Sequence, residues 1–339
     1  MANKLTICGD LSASGTIYGT LNQSVSGNVN SGTGTANTWA GCNAFKSVQS
    51  GATHNTGYGY NAACSLTTGD KNTAIGSNAL AANTTGHSNN AIGYASLFTN
   101  STGNFNTASG MYALLSNTTG VANTASGAYA LKSNTTASNN AAFGYEALVG
   151  NTTGARNTAL GDHALRYNTT GAENTASGHY ALRCNTTGAC NTATGTKALH
   201  SNTTGHSNVA LGRSALYENT TGLRNIAIGM NAADNNTTGC DNVVMGHYAF
   251  KVSTTGCQNV TVGMNSLRNS TTGCYNTASG YGALYSNTTG GSNTASGVKS
   301  LYSNTTASNN TAYGACALFA NTTGAVSYTH LTLPTNREV

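Results

Sequence analysis

From Asn55 the chain repeats every 17 residues, without insertion or deletion, through the unit that begins at Asn310, which gives sixteen units. Two of them read NTASGHYALRCNTTGAC (174–190) and NVALGRSALYENTTGLR (208–224), and the shared pattern is N-T-A-x-G-x-x-A-L-x-x-N-T-T-G-x-x. The Asn at position 1, the Gly at position 5 and the Thr at position 14 recur in every unit. A fixed short period means that each unit packs mainly on its neighbours. Seventeen residues are too few for a helical hairpin, whose repeats run above about 30, and the several leucines of a leucine-rich repeat are missing. They suffice for two short strands and two turns. The fold expected is all-β: a β-solenoid or β-roll with one 17-residue coil per unit. Strands are expected near positions 1–5 and 8–11, with turns at the Gly and at N-T-T-G, where Gly and Asn tolerate positive φ. Sixteen coils stacked at about 4.8 Å predict a rod of roughly 77 Å.

The repeat also sets the domain organisation. NTWAGCNAF (37–45) reads as a degenerate first unit, one residue out of phase, so the repeat region is 37–324 and residues 1–36 form a strand-turn leader. The tail AVSYTHLTLPTNREV (325–339) breaks the rhythm: Ser327 stands where the next Asn is due, and Pro334 is the chain's sole proline. VSYTHLTLPT (326–335) resembles the translation of a transposon-based sequencing adapter, and the tail is read as an artefact rather than native sequence.

Each typical coil offers one Leu and two Ala as recurring apolar groups. That is little burial against the entropy of ordering 17 residues. Backbone ladders and stacked Asn and Thr must supply much of the rest, and burial between chains is expected, hence an oligomer. Positions 2 and 4 vary together: Val209 with Leu211, Ile226 with Ile228, Val243 with Met245 and Val260 with Val262, against Thr and Ser elsewhere. Strand alternation puts these two positions on one face; whether that face is interior or a contact between subunits is open in the sequence.

Composition narrows the function. A net charge of +5, thinly spread, does not suit nucleic acid. No run of about 18 apolar residues predicts a membrane helix, and the start lacks the apolar stretch of a secretory signal. Nine cysteines form no C-x-x-C pair, which indicates neither a zinc site nor a disulfide framework and suits a reducing environment. Cys240, Cys257 and Cys274 share position 16 of consecutive units and are expected as a ladder of free thiols.

No catalytic, cofactor or metal site is expected, and the chain is read as a non-enzyme. Its acidic residues scatter over many columns; His87 and His206 lie seven coils apart, His179 and His247 four, and His163 and His200 stand alone in theirs. Stacked Asp of calcium-binding rolls is missing, and GYGYNA (57–62) lacks the helix and Lys of a phosphate loop. Position 10 is richer. It carries Lys132, Arg166, Arg183, His200, Lys251 and Arg268, interleaved with Phe98, Tyr217, Tyr285, Tyr302 and Phe319. Such a stripe suits carbohydrates or polyanions; the plainer alternative is a solvated face that discourages lateral pairing. The Thr column at position 14 leaves an ice-binding surface as a further reading.

NVALG, NIAIG and NTAIG resemble the strand motif of β-roll heads in trimeric autotransporter adhesins, whose repeats are shorter. NTAIGSNALAANTTG (72–86) resembles repeats of phage and other viral tail-fibre proteins, and GDLSASGTIYG (9–19) resembles the segments that open such fibres. The resemblance covers about residues 5–324. It implies a homotrimeric, rod-like surface structure on a virion, in which the shaft or head of a tail fibre presents a tip that binds host carbohydrate or protein. A bacterial trimeric surface adhesin is the alternative.

Overall fold

The computed structural model describes residues 36–49 and 51–324, and the backbone of Tyr328–His330. The leader at 1–35, and the tail apart from those three residues, lie outside the described part. Among the described residues every regular element is a three-residue β-strand, and these fall in two units, divided after Phe143. The first holds β1 (Thr38–Ala40), β2 (Thr56–Tyr58), β3 (Thr73–Ile75), β4 (Asn90–Ile92), β5 (Thr107–Ser109), β6 (Thr124–Ser126) and β7 (Ala141–Phe143). The second holds β8 (Thr158–Leu160), β9 (Thr175–Ser177), β10 (Thr192–Thr194), β11 (Val209–Leu211), β12 (Ile226–Ile228), β13 (Val243–Met245), β14 (Val260–Val262), β15 (Thr277–Ser279), β16 (Thr294–Ser296), β17 (Thr311–Tyr313) and β18 (Tyr328–His330).

Within each unit, successive strands pair in parallel and in register, so Thr73 stands over Asn90 and Val209 over Ile226. The fold is an all-β solenoid of 17-residue coils. The one offset of 18 joins β1 to β2, and it is absorbed between Gln49 and Ala52, because Gln49 N–H still bonds 18 residues ahead, to Thr67 O.

One strand per coil forms, not two. The segment expected as a strand at positions 8–11 is a chain of turns, because positions 7 and 9 are left-handed: Asn78 and Leu80 have φ of 59° and 55°, Tyr180 and Leu182 of 61° and 50°. The left-handed residue at 9 turns two consecutive side chains inward. Ala79 with Leu80, and Ala181 with Leu182, are all fully buried, which a strand's alternation forbids. The backbone still bonds from coil to coil. Leu80 N–H donates to Ser96 O ahead at 2.9 Å, while Asn78 N–H donates to Tyr60 O behind at 2.8 Å.

The core is therefore thin: Ala at position 3, Ala at 8 and Leu at 9. Two ladders of buried Asn flank it. At position 1, Asn72 donates its backbone N–H and its Nδ2 to Asn55 Oδ1 at 2.8 and 3.1 Å, and Nδ2 also donates to Gly86 O at 2.9 Å. At position 12, Asn202 Nδ2 donates to Asn185 Oδ1 at 2.7 Å and to Gly205 O at 2.9 Å. A buried amide left unpaired costs about 1–3 kcal/mol, so the position-1 ladder, Asn in every coil, is what permits so polar an interior. At position 12 Ser253 and Ser270 interrupt the Asn run, and Asn236 Oδ1 beside the break has no hydrogen bond. Glycine at position 5 is required twice over: Gly76 has φ 131°, and a β-carbon there would sit 2.5 Å from Gly93 O.

The covarying positions 2 and 4 point outward, on either side of the buried position 3. This answers the question the sequence leaves open: the apolar pairs of β11–β14 are not core.

Candidate functional site

The left-handed turn at positions 7–9 decides what the surface presents. With 8 and 9 both turned inward, the side chains of 7 and 10 emerge on either side of the buried pair and meet. The residues singled out at position 10 lie on this surface, half-buried except for Phe98 and Phe319, which are exposed, and most of them meet a ring. In the first unit Lys132 Nζ stands 5.3 Å from the ring centre of Tyr129, which neighbours Tyr112 and, through it, Tyr94 at 5.4 and 5.3 Å.

The second unit carries the longer run. Arg166 lies 5.0 Å from the centre of Tyr167 and donates to its hydroxyl at 3.0 Å. Arg183 lies 5.1 Å from both Tyr167 and Tyr180. His163, Tyr180, His200 and Tyr217 follow as ring neighbours at 5.2, 6.2 and 4.9 Å, the last pair stacked within 19°. Further along, Lys251 and Arg268 stand over Tyr248 at 4.8 and 5.2 Å. Tyr285, Tyr302 and Phe319 then stack at 5.0 and 5.2 Å, with planes within 7°. The column also holds Asp234 between Tyr217 and Lys251.

Column-by-column reading of the sequence misses half of this site. Position 7 supplies Tyr112, Tyr129, Glu146, His163, Tyr180 and Tyr248, which meet position 10 because the two bracket the inward pair. It also misses an acidic-basic cluster made by neighbouring columns in neighbouring coils. Glu146 Oε2 lies 2.7 Å from Arg166 Nη2 and 3.3 Å from His163 Nε2; Asp162 lies 3.0 Å from His163 Nδ1 and 3.4 Å from His179 Nε2. These separations are in ion-pair range, yet Glu146 Oε2 and His163 Nδ1 are buried atoms without a well-angled hydrogen bond. Glu146 and Arg166 form the ion pair of the cluster, and the two histidines lie within reach of its carboxylates.

Seven buried side-chain polar atoms lack a hydrogen bond among the described residues. Four belong to this stripe, Glu146 Oε2, His163 Nδ1, Arg166 Nε and Arg183 Nε, and a fifth, His247 Nε2, sits beside it on a ring stacked 3.9 Å from Tyr248. Such atoms are uncommon and call for an explanation where they cluster. Burial, with Arg183 and Lys197 nearby, lowers the pKa of His200 from its ordinary 6.5. Burial raises that of Asp234.

No three His, Cys, Asp or Glu side chains among the described residues are grouped to hold a metal ion. The three thiols of position 16 are free and stack as a ladder, Cys240 and Cys257 each donating a backbone N–H to the sulfur one coil ahead at 3.1 and 3.2 Å. Cys42, by contrast, is disulfide-bonded, which corrects the expectation of no disulfide drawn from the cysteine spacing. At position 13 the Thr hydroxyls are engaged, as when Thr84 Oγ1 donates to Ser101 O at 3.1 Å. That leaves position 14 as a single exposed rank. No described helix is long and apolar enough to cross a membrane. No protein-family model and no curated protein matches the chain.

Proposed function

We propose that this chain is a fibrous, non-enzymatic surface protein, a homotrimeric shaft or head of the viral tail-fibre kind. Its basic-aromatic stripe contacts acidic carbohydrate on a host cell. The observation that carries the reading is the stripe: arginines and lysines standing over tyrosine rings along one surface. Ring faces take the apolar side of a sugar, and guanidinium groups take its carboxylate or sulfate. Weak contacts of this sort, multiplied over three chains, gain by effective concentration.

The stripe is continued coil after coil by a scaffold of small residues, an economical way to hold many such contacts in line. A single long read through the locus beyond Gly324 tests the owner. A receptor-binding tip or self-cleaving chaperone downstream supports the viral fibre; a membrane-anchoring β-barrel segment replaces it with a bacterial surface adhesin. Ice binding is the weaker reading, because position 13 spends its hydroxyls on carbonyls and one exposed Thr rank is left. Thermal hysteresis at micromolar protein would reinstate it.

A further inference from the structure

We infer that the outward face of β11–β14 is a contact between copies of this chain, an inference that rests on the fibre reading above and names its interface. Four consecutive rungs present Val209 and Leu211, Ile226 and Ile228, Val243 and Met245, Val260 and Val262. Ile226 is 37% exposed, Met245 41%, Val260 42% and Val262 42%. The coil does not need them. The same two positions hold Thr175 and Ser177 in β9, Thr192 and Thr194 in β10, Thr277 and Ser279 in β15, and Thr294 and Ser296 in β16, with the same backbone register.

Neighbouring positions change in the same coils. Position 16 becomes Leu223, Cys240, Cys257 and Cys274, and position 6 becomes Met230 and Met264 in two of the four. Position 4 alone is apolar in other coils too, as at Ile92 and Leu160, and position 6 holds Arg213 and His247 in two of the four. What belongs to these four consecutive coils is a large apolar residue at positions 2 and 4 together, and such a run marks a surface that another molecule removes from water.

Its occupant follows from charge, period and size. Positions 2 and 4 carry no charged residue in any strand from β8 to β17, so the centre of the face suits an uncharged partner. Charges stand only at its edges, as Asp162 and Arg213 at position 6 and the Arg224–Asp241 pair at position 17. The rungs repeat at about 4.8 Å, and a second copy repeats at the same spacing, so the two faces can match rung for rung. Four rungs, about 20 Å high and about 20 Å wide with the flanking turns, give roughly 400 Å², half of the ~800 Å² per partner that a stable interface buries. The ten uncharged rungs β8–β17 together reach about 900–1,000 Å². A long parallel copy covers that length, with the apolar block as anchor and the Thr and Ser rungs as its continuation.

The test replaces the eight side chains by the pair that the other rungs already carry: Val209→Thr, Leu211→Ser, Ile226→Thr, Ile228→Ser, Val243→Thr, Met245→Ser, Val260→Thr and Val262→Ser. Sedimentation equilibrium of the full chain is expected to show an oligomer for the wild type. The variant, with an unchanged far-UV spectrum, is expected to associate at least tenfold more weakly. Undiminished association of the folded variant overturns the assignment of this face and leaves the fibre reading standing. A wild type that stays monomeric overturns both the contact and the trimer, while binding of acidic polysaccharide judges the stripe separately. If the eightfold variant loses its far-UV signal, Ile228→Lys alone decides: the outward position accepts a lysine in the monomer, so association as strong as wild type overturns the proposal.

Discussion

Gly57 stands against the ring of Phe45: a β-carbon built at Gly57 would lie 2.9 Å from Phe45 Cζ. Position 3 is Ala in most coils and position 9 is Leu, so the glycine and the phenylalanine are a compensating pair. Gly57→Ala is expected to destabilise the first unit by about 1–3 kcal/mol, the usual cost of overpacking. Phe45→Leu alone leaves a gap, and the double variant restores the common Ala-Leu arrangement. A denaturant-melt cycle of the four proteins checks this, with a coupling between the two sites of more than about 0.5 kcal/mol.

Thr261 offers the reverse case. It occupies position 3, fully buried, with an Oγ1 that finds no hydrogen bond. One coil earlier Val244 fills the same position, also fully buried. Thr261→Val is expected to stabilise the protein by about 1–3 kcal/mol, since it removes an unpaired hydroxyl at constant volume. Chemical denaturation gives the sign directly; a loss of stability would mean that the hydroxyl is satisfied after all.

Asp234 ties stability to pH. Burial raises its pKa, against the smaller opposing effects of Asn231 and Lys251. The folded state therefore prefers the neutral acid. The favourable contribution is present below the unfolded pKa of about 3.9 and is lost as pH rises through the raised folded value. Asp234→Asn keeps an acceptor for Asn231 Nδ2, which donates to Asp234 Oδ2 at 3.0 Å. The variant is expected to melt above wild type at pH 7 and level with it near pH 3. A difference of the same size at both pH values would refute the assignment to ionisation.

His200 runs the other way in the stripe. Its pKa is lowered chiefly by burial, then by Arg183 and Lys197, and its ring stacks on Tyr217. An imidazole titration followed by NMR is expected to place it below 6.5. Its depressed pKa makes the folded state lose stability as pH falls from 6.5 through the folded value, and His200→Gln should flatten that part of the profile.

Much of this was legible in the sequence. The 17-residue period sets the coil, and the Gly of position 5 marks a turn by itself. The second strand was misread for a physical reason: left-handed backbone is expected of Gly and Asn, and here it is taken by Leu182, Tyr180 and their equivalents at every coil. Repetition makes that possible, because each coil's N–H and C=O groups are answered by the neighbouring coils whatever the local propensity. Position 10 was found because its residues are basic and aromatic. Position 7 was missed because its role depends on Ala and Leu turning inward together, and Glu146 with Arg166 was missed because the pair joins different columns.

The most direct measurement is retention of the full chain on an immobilised sulfated polysaccharide, beside its unsulfated parent, for the wild type and for Arg166→Gln, Arg183→Gln and Arg268→Gln combined. The account predicts that wild type is retained on the sulfated form alone, weakens with salt as charge contacts do, and loses at least tenfold in affinity when the three arginines are neutralised. Equal retention of the folded triple variant would contradict it and return the stripe to a solvated surface.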